Sequence, residues 1–477
     1  MTPEEFRRAG HELIDWIADY RTRVEGGGTP VLSSARPGEL RAALPDAAPQ
    51  DPEPFAAILR DLDALILPAC THWQSPNFFG YFPSNSALAA VLGDVASTGL
   101  AQLGLNWQAS PALTELEEVT TDWLRQLLGL PATFRGVIQG TASEATLVAL
   151  ICARERATGY AAAHGGLQSV PRPLVVYASA HSHSSVAKAA QLAGFGHEQL
   201  RLVPTDETYA MRPEALATAI GQDLARGAVP CAIVATTGTT GTTAIDPLEP
   251  IGALAARHDI WLHVDSAMGG SAMILPECRG LWAGIEHADS IVVNPHKWLG
   301  ASFDCSVYYL RDVQHLVRVM STNPSYLQTA ADEVTTSYRD WGIPLGRRMR
   351  ALKLWFLMRA EGVGRLQARL RRDLTHARWL AAKIDAAADD GWRRLAPVPL
   401  QTLCVRHEPP GVAGEALDAH TLAWVGRVND SGKACLTPSQ LEGRWMVRVS
   451  LGVESTERPH VEALWRLMQG AVRGATR

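Results

Sequence analysis

Cysteine is sparse in this 477-residue chain. Cys70, Cys152, Cys231, Cys278, Cys305, Cys404 and Cys435 are scattered, odd in number and never arranged as CxxC. This argues against a disulfide framework or a zinc–cysteine cluster and points to a reducing compartment such as the cytoplasm. Charge of one sign is not in excess either. A formal net charge of −5 gives no electrostatic reason to expect nucleic acid or an anionic membrane as a partner. The opening residues "MTPEEFRRAGHELIDW" turn acidic at once and hold no apolar stretch of the kind a secretory signal needs. No run is convincingly membrane-like. The nearest, "SALAAVLGDVASTGLAQLGL", contains Asp94, glycines and many alanines, so a buried helical region is expected there rather than a span. Internal repeats and low-complexity tracts are absent, as are HExxH, the Walker pattern and GxGxxG.

Hydrophobic residues make up 47% and charged residues 19%, ordinary for a soluble globular protein, and the length suggests two or three packed units. Thr2, Pro3 and Glu5 read as a capped helix start; Phe6, Ala9, Leu13, Ile17 and Tyr20 then recur at helical spacing up to the glycines at 26–28. In the middle of the chain, "PLVVYAS", "LRLVP", "CAIVATTG", "IWLHVDSA", "SIVVNP" and "SVYYL" alternate with helical stretches. That texture predicts a mostly parallel sheet covered on both faces, with ligands beyond the carboxyl ends of the strands. Near residue 350 a long helical pattern begins, followed by two strand-like runs and a final helix. The expected organisation is an N-terminal helical segment (1–85) packing on a partner, a large α/β domain (86–350) and a smaller α/β domain (351–477). The basic run "RLRR" at 369–372 reads as a solvated helix face.

Candidate chemistry gathers where apolar runs end. Lys297, in "NPHKWLG", sits just past a buried strand; it is either a snorkelling surface lysine or an amine whose lowered pKa suits it to form an imine. Asp265 closes "IWLHVDSA". A carboxylate there needs a cationic partner, which a protonated pyridine nitrogen, a nearby arginine or a helix cap would supply. "QGTASEAT" joins a strand to a helix and places Thr141, Ala142 and Ser143 at the helix N-terminus. This suits a phosphate, or simple capping by Ser143. "ATTGTTGTT" offers hydroxyls to a ligand or forms a flexible loop. His181 and His183, two apart in "SAHSHSSV", would share a face if extended and could bind metal with His263 and Asp265; alternatively a flat imidazole stacks on an aromatic cofactor. Together these residues supply an imine lysine, a carboxylate for a ring nitrogen, a phosphate cradle and a stacking ring, the set that pyridoxal phosphate requires.

At this point the sequence resembles a known family, the pyridoxal-phosphate-dependent group II decarboxylases, and in particular the aromatic-L-amino-acid decarboxylases. The resemblance is nearly full length. It includes "EFRRAGHELIDWIADY", "THWQSPNFFGYFPS", "ASPALTELE", "GVIQGTASEATLVAL", "DIWLHVDSA", "NPHKWL", "DCSVYYL" and "YRDWGIPLGRRMRALKLWF". It implies the aspartate-aminotransferase-like fold (fold type I) and a homodimer with the active site at its interface. It gives Lys297 the covalent cofactor bond, Asp265 the pyridinium nitrogen, His183 the stacking face and Ala267 the opposite face. Ala142, Ser143, Asn294 and His296 would hold the phosphate, with Thr240 close by. Tyr326, on a lid shorter than in animal members, is the implied proton donor. Relatives with phenylalanine there tend toward aldehyde formation. The implied substrate pocket includes Trp73, Tyr81, Phe82, Pro83 and Ser84, with Leu103 and Leu105 from the partner subunit. Leu105 and Met268 replace phenylalanine and tyrosine of animal members, and Gly346 matches relatives that accept indoles. The reading is therefore decarboxylation of aromatic L-amino acids, tryptophan slightly favoured, with 5-hydroxytryptophan, tyrosine, phenylalanine and DOPA also considered. Aldehyde synthesis on the same fold is the main alternative. A metal-dependent hydrolase and a non-catalytic binding protein remain as further readings; the first would need metal at His181, His183, His263 and Asp265.

Overall fold

Runs of consecutive apolar residues become fully covered strands. In the computed structural model, residues 1–322 and 334–474 are described. Seven strands form one sheet: β1 (Arg135–Gln139), β2 (Leu174–Ser179), β3 (Leu200–Val203), β4 (Val229–Thr236), β5 (Trp261–Asp265), β6 (Ser290–Val293) and β7 (Ser306–Leu310), in the order β1-β7-β6-β5-β4-β2-β3. Every residue of β2, β5, β6 and β7 is buried. One face packs on the helices Ala142–Ala157 and Ser185–Leu192 through Val148, Ala149, Val186 and Ala189. Tyr177 turns to the other face, where its hydroxyl donates to Asp223 of the helix Pro213–Ala225 at 3.0 Å. Each aliphatic side chain fully covered this way contributes about 1.5–3 kcal/mol.

Strands β2 to β6 are mutually parallel, whereas β7 runs against both neighbours, β6 and β1. The carboxyl ends of β1, β2, β4, β5 and β6 therefore share one edge of the sheet, and β7 begins at that same edge. The expectation of a mostly parallel sheet holds, with one reversed strand. Fold type I, with this central sheet and a small C-terminal sheet domain, is the architecture.

Contacts divide the chain into two units, Met1–Pro83 with Trp379–Arg393 and Val405–Arg477, and Ser84–Arg378 with Arg394–Cys404. The N-terminal segment thus groups with C-terminal residues, and the first part of the long helix Ala351–Ala386 groups with the seven-stranded sheet. The boundaries differ from those expected because contacts, unlike sequence texture, do not follow chain order. That helix is broken at Gly362, whose φ of 68° is left-handed. In the first unit, the helix Pro3–Glu25 starts with the expected capping box between Thr2 and Glu5. A second sheet, β8 (Trp392–Arg394), β9 (Thr402–His407), β10 (Thr437–Leu441) and β11 (Arg444–Ser450), has the order β10-β11-β9-β8.

One expectation is corrected. "SALAAVLGDVASTGL" forms the helix Leu88–Leu100, but only one side is covered: Leu88, Leu92, Val95 and Leu100 remain 47–56% exposed. Apolar content alone does not say which face of a helix finds a neighbour in the same chain. Among the described residues no helix is long and apolar enough to cross a membrane.

Candidate active site

Asp265, Lys297, His183, Asn294 and the turn at Gly140–Ser143 all lie at or beyond the ends of strands that finish at the shared edge. Asp265 is the last residue of β5, paired with Thr236 of β4 and Val292 of β6, and is 5% exposed. Its Oδ1 accepts the Ala267 N–H at 3.0 Å. Among the described residues it forms no ion pair with lysine or arginine, so neither a helix cap nor an arginine explains it. Lys297 lies one short turn beyond β6, in the segment Pro295–Leu299. His183 follows β2 and feels both charges. Partial burial lowers its pKa, the Asp265 carboxylate opposes that shift and the Lys297 charge adds to it. Its Nδ1 accepts the Ser185 N–H at 3.1 Å, so the neutral ring carries its proton on Nε2.

The segment holding Lys297 is pinned on several sides. Asn85 donates from Nδ2 to the Lys297 carbonyl at 3.1 Å. Arg369 Nη2 donates to the carbonyls of Trp298 at 2.9 Å and Leu299 at 2.5 Å. The Trp298 indole donates to the fully buried Asp373 at 2.9 Å. Arg369 and Asp373 thus face this turn, which corrects the reading of the basic run as wholly solvated. None of these supports was foreseen, because each comes from a distant part of the chain and none carries a spacing signal.

His296 and Asn294 are fixed through β7. Cys305 donates its N–H to His296 Nδ1 at 2.9 Å, and Ser306 Oγ donates to Asn294 Oδ1 at 2.7 Å. Burial, then the nearby Lys297 charge, holds the His296 pKa down to about 3. The ring is neutral and its Nε2–H is a donor. Ala267 lies between Asp265 and the Asn294 N–H, which donates to its carbonyl at 3.2 Å; Met268 beside it is buried.

At the end of β1, the cap of the helix Ala142–Ala157 is Thr141, whose Oγ1 accepts the Glu144 N–H. The capping role considered for Ser143 therefore falls to Thr141, leaving Ser143 exposed in the first turn with Ala142. The loop after β4 is not loose. Thr239 and Thr242 hydroxyls lie 3.0 Å apart, and the Ala244 N–H donates to Thr239 Oγ1 at 3.0 Å. Thr240 within it is half-buried.

His181 and His183 diverge, since the chain turns there instead of extending. His181 meets Tyr209 edge-on, with centroids 5.3 Å apart. His263 is enclosed, with Nδ1 2.9 Å from Ser290 Oγ and Nε2 3.5 Å from Thr146 Oγ1; burial pushes its pKa down to about 4. Among the described residues no three His, Cys, Asp or Glu side chains stand together as a metal site.

The expected pocket residues fall in two groups. In the first unit, Trp73 stacks on Tyr81 with centroids 5.5 Å apart, Arg448 lies 4.8 Å over Phe82, and Pro83 follows. Tyr81 holds a φ of 49°, and its N–H donates to Thr437 Oγ1 at 2.6 Å. In the second unit, Ser84 directly precedes Asn85. Gly104 forms an antiparallel bridge with Arg347, bringing Leu103, Leu105 and Gly346 together; a Cβ on Gly346 would meet Leu103 Cδ1 at 3.2 Å. Tyr326 lies outside the described residues.

An amine, a buried carboxylate, a neutral histidine face and exposed helix N–H groups at one strand edge suit a group with a carbonyl, a ring nitrogen and a phosphate. The model of the pyridoxal-dependent decarboxylase conserved domain matches residues 37–391. The chain belongs to the pyridoxal-dependent decarboxylases. It is 40% identical to tryptophan decarboxylase 2 of Oryza sativa subsp. japonica over 98% of this chain and 95% of that one. Identity is also 40% to phenylacetaldehyde synthase of Arabidopsis thaliana, over 98% of this chain and 96% of that one. The Oryza sativa TDC solved with PLP and tryptamine superposes with a TM-score of 0.96 at 36% identity, covering 100% of this chain and 99% of that one. This decarboxylase is therefore a pyridoxal-phosphate-dependent carboxy-lyase. Its residues fit the cofactor, because Asp265 is a buried carboxylate with no lysine or arginine ion pair among the described residues, as a pyridinium nitrogen requires.

Proposed function

We propose that the enzyme converts aromatic L-amino acids to the corresponding arylalkylamines and CO2, with tryptophan slightly favoured. The observation that carries this reading is the meeting of Lys297, Asp265 and His183 at one strand edge, in a chain similar over its whole length to a tryptophan decarboxylase. When bound, pyridoxal phosphate supplies an aldehyde for the substrate amine and a ring that accepts electrons. Lys297 provides the ε-amine that anchors it. Asp265 keeps a proton on the ring nitrogen, His183 and Ala267 offer the two faces, and Thr240 lies alongside. The first helical turn at Ala142 and Ser143, with Asn294 and the His296 Nε2–H, takes the phosphate.

The walls orient the substrate so that its carboxylate leaves into a water-poor space, where loss of that charge is favoured. Trp73, Tyr81, Phe82, Pro83 and Ser84 suit an aromatic side chain. Leu103 and Leu105 complete the wall of a second copy's site in a homodimer. The exposed apolar side of the helix Leu88–Leu100 supports that assembly. Tyr326 delivers the proton to the substrate Cα. Discrimination among aromatic substrates is weak and the accepted substrates overlap, since one methylene-sized difference is worth only about 1–3 kcal/mol.

The similarity to phenylacetaldehyde synthase supports a second reading, decarboxylation with oxidative deamination. Tyrosine at position 326 favours the amine. The test is a panel of tryptophan, 5-hydroxytryptophan, tyrosine, phenylalanine and DOPA scored for CO2, amine, aldehyde and hydrogen peroxide. Amine with equal CO2 and no peroxide supports decarboxylation; aldehyde with peroxide overturns it in favour of the second reading.

A further inference from the structure

β1 is an edge strand, so the outward N–H and C=O of Ile138 have no strand to pair with. Both are met by side chains. Glu117, fully buried, accepts the Ile138 N–H at 2.7 Å through Oε1. Arg347, 5% exposed, donates from Nη2 to the Ile138 carbonyl at 2.7 Å and to the same Glu117 oxygen at 2.6 Å. The backbone of Arg347 exchanges two hydrogen bonds with Gly104, at 2.9 and 3.1 Å, and its guanidinium lies 4.9 Å over the Tyr338 ring. Tyr338 in turn donates to the Gly136 carbonyl of β1 at 3.3 Å.

One residue thus ties the phosphate-facing turn of this chain's own site to the wall that the same chain would lend to a second copy's site. Ile138 stands two positions before Gly140, at the turn leading to Ala142 and Ser143. Gly104 stands between Leu103 and Leu105. We infer that Arg347 is a positioning residue for the proposed decarboxylation, holding the Leu103–Leu105 wall in register with the phosphate-facing turn after β1. The inference rests on that functional reading and adds to it a residue that need touch neither substrate nor cofactor. A buried ion pair adds little net stability against a well-packed apolar substitute, but it fixes geometry. Both of those bonds leave from Nη2 while the flat guanidinium lies over the Tyr338 ring, and lysine would not replace it because a compact ammonium cannot keep that planar stack.

The experiment uses the holoenzyme and two variants, Arg347→Lys and the charge-balanced pair Arg347→Met with Glu117→Gln. The measurements are thermal midpoint, pyridoxal phosphate affinity, borohydride fixation at Lys297, and kcat and KM for CO2 release from tryptophan. Both variants are expected to retain the fixable adduct. Per folded, cofactor-loaded enzyme, kcat should fall by about 10- to 100-fold, with a raised KM for tryptophan. The balanced pair should keep its thermal midpoint. Wild-type kcat and KM in either variant overturn the inference, as does a loss of activity that vanishes once corrected for the folded, loaded fraction. A wild-type enzyme that releases no CO2 from any aromatic amino acid overturns the functional reading itself, and the inference with it.

Discussion

Cys305 donates its backbone N–H to His296 Nδ1 at 2.9 Å, which leaves the imidazole one proton, on Nε2. With its pKa held down to about 3 by burial, this ring stays neutral at any pH at which the enzyme is assayed. His296→Phe should weaken pyridoxal phosphate binding by about 10- to 100-fold, the range for losing one hydrogen bond to a charged group. His296→Gln, with an amide N–H, should recover part of it. Fluorescence titration of the apoenzyme measures both; equal affinity in the wild type and His296→Phe would remove His296 from the phosphate site.

Lys297→Ala should abolish turnover and eliminate the borohydride-fixable adduct at that position. Mass spectrometry of a proteolytic digest reads this directly. A pyridoxyl group fixed at position 297 in the wild type and absent from the variant is the expected pair of results.

Asp265→Asn replaces a carboxylate that accepts the Ala267 N–H and lies near His183 and His263. Without the negative charge, the ring nitrogen loses its reason to stay protonated. A fall in kcat of about 100-fold or more is expected, comparable to deleting one preorganised electrostatic group. Cofactor absorbance and steady-state rates distinguish this from simple loss of binding.

Acid stability tests the buried histidine. Burial pushes the His263 pKa down to about 4 from an ordinary 6.5, so between those values the unfolded chain binds a proton that the folded chain does not. Stability must therefore fall as pH drops through that window, by about 1.4 kcal/mol per pH unit for this group. Removing the titratable ring in His263→Gln should flatten the slope of unfolding free energy against pH by that amount. Denaturant melts at pH 6.5, 5.5 and 4.5 give the slope; these are on the order of the window fixed by the two pKa values.

The product-determining prediction concerns Tyr326. Tyr326→Phe should shift products from amine toward aldehyde and hydrogen peroxide. An unchanged amine yield would take that tyrosine out of the proton-delivery role.

Much of this was legible in the residues. Asp265, Lys297 and the Gly140–Ser143 turn stand out because each ends an apolar run, and in a parallel sheet such ends share an edge. The reversal of β7 was not legible: "SVYYL" has the same apolar texture whichever way the strand runs. Nor was Asn85, whose partner Lys297 lies 212 positions away. Two-residue spacing leaves open whether the histidine pair shares a face, because it implies this only on extended backbone, and here the chain turns. The helix at 88–100 was read as buried because leucine, valine and alanine fill it; which side is covered depends on neighbours the sequence does not name.

The reversed strand also limits what can be changed by engineering. Since β7 sets out from the edge where its neighbours finish, the stretch joining Lys297 to Ser306 is a short return path whose far end is tied back twice to its start, by the Cys305 N–H to His296 and by the Ser306 hydroxyl to the Asn294 amide. Insertions there should be the least forgiving in the chain: one added residue would slide the Cys305 N–H off the imidazole, and the proton on its far side would lose its fixed aim.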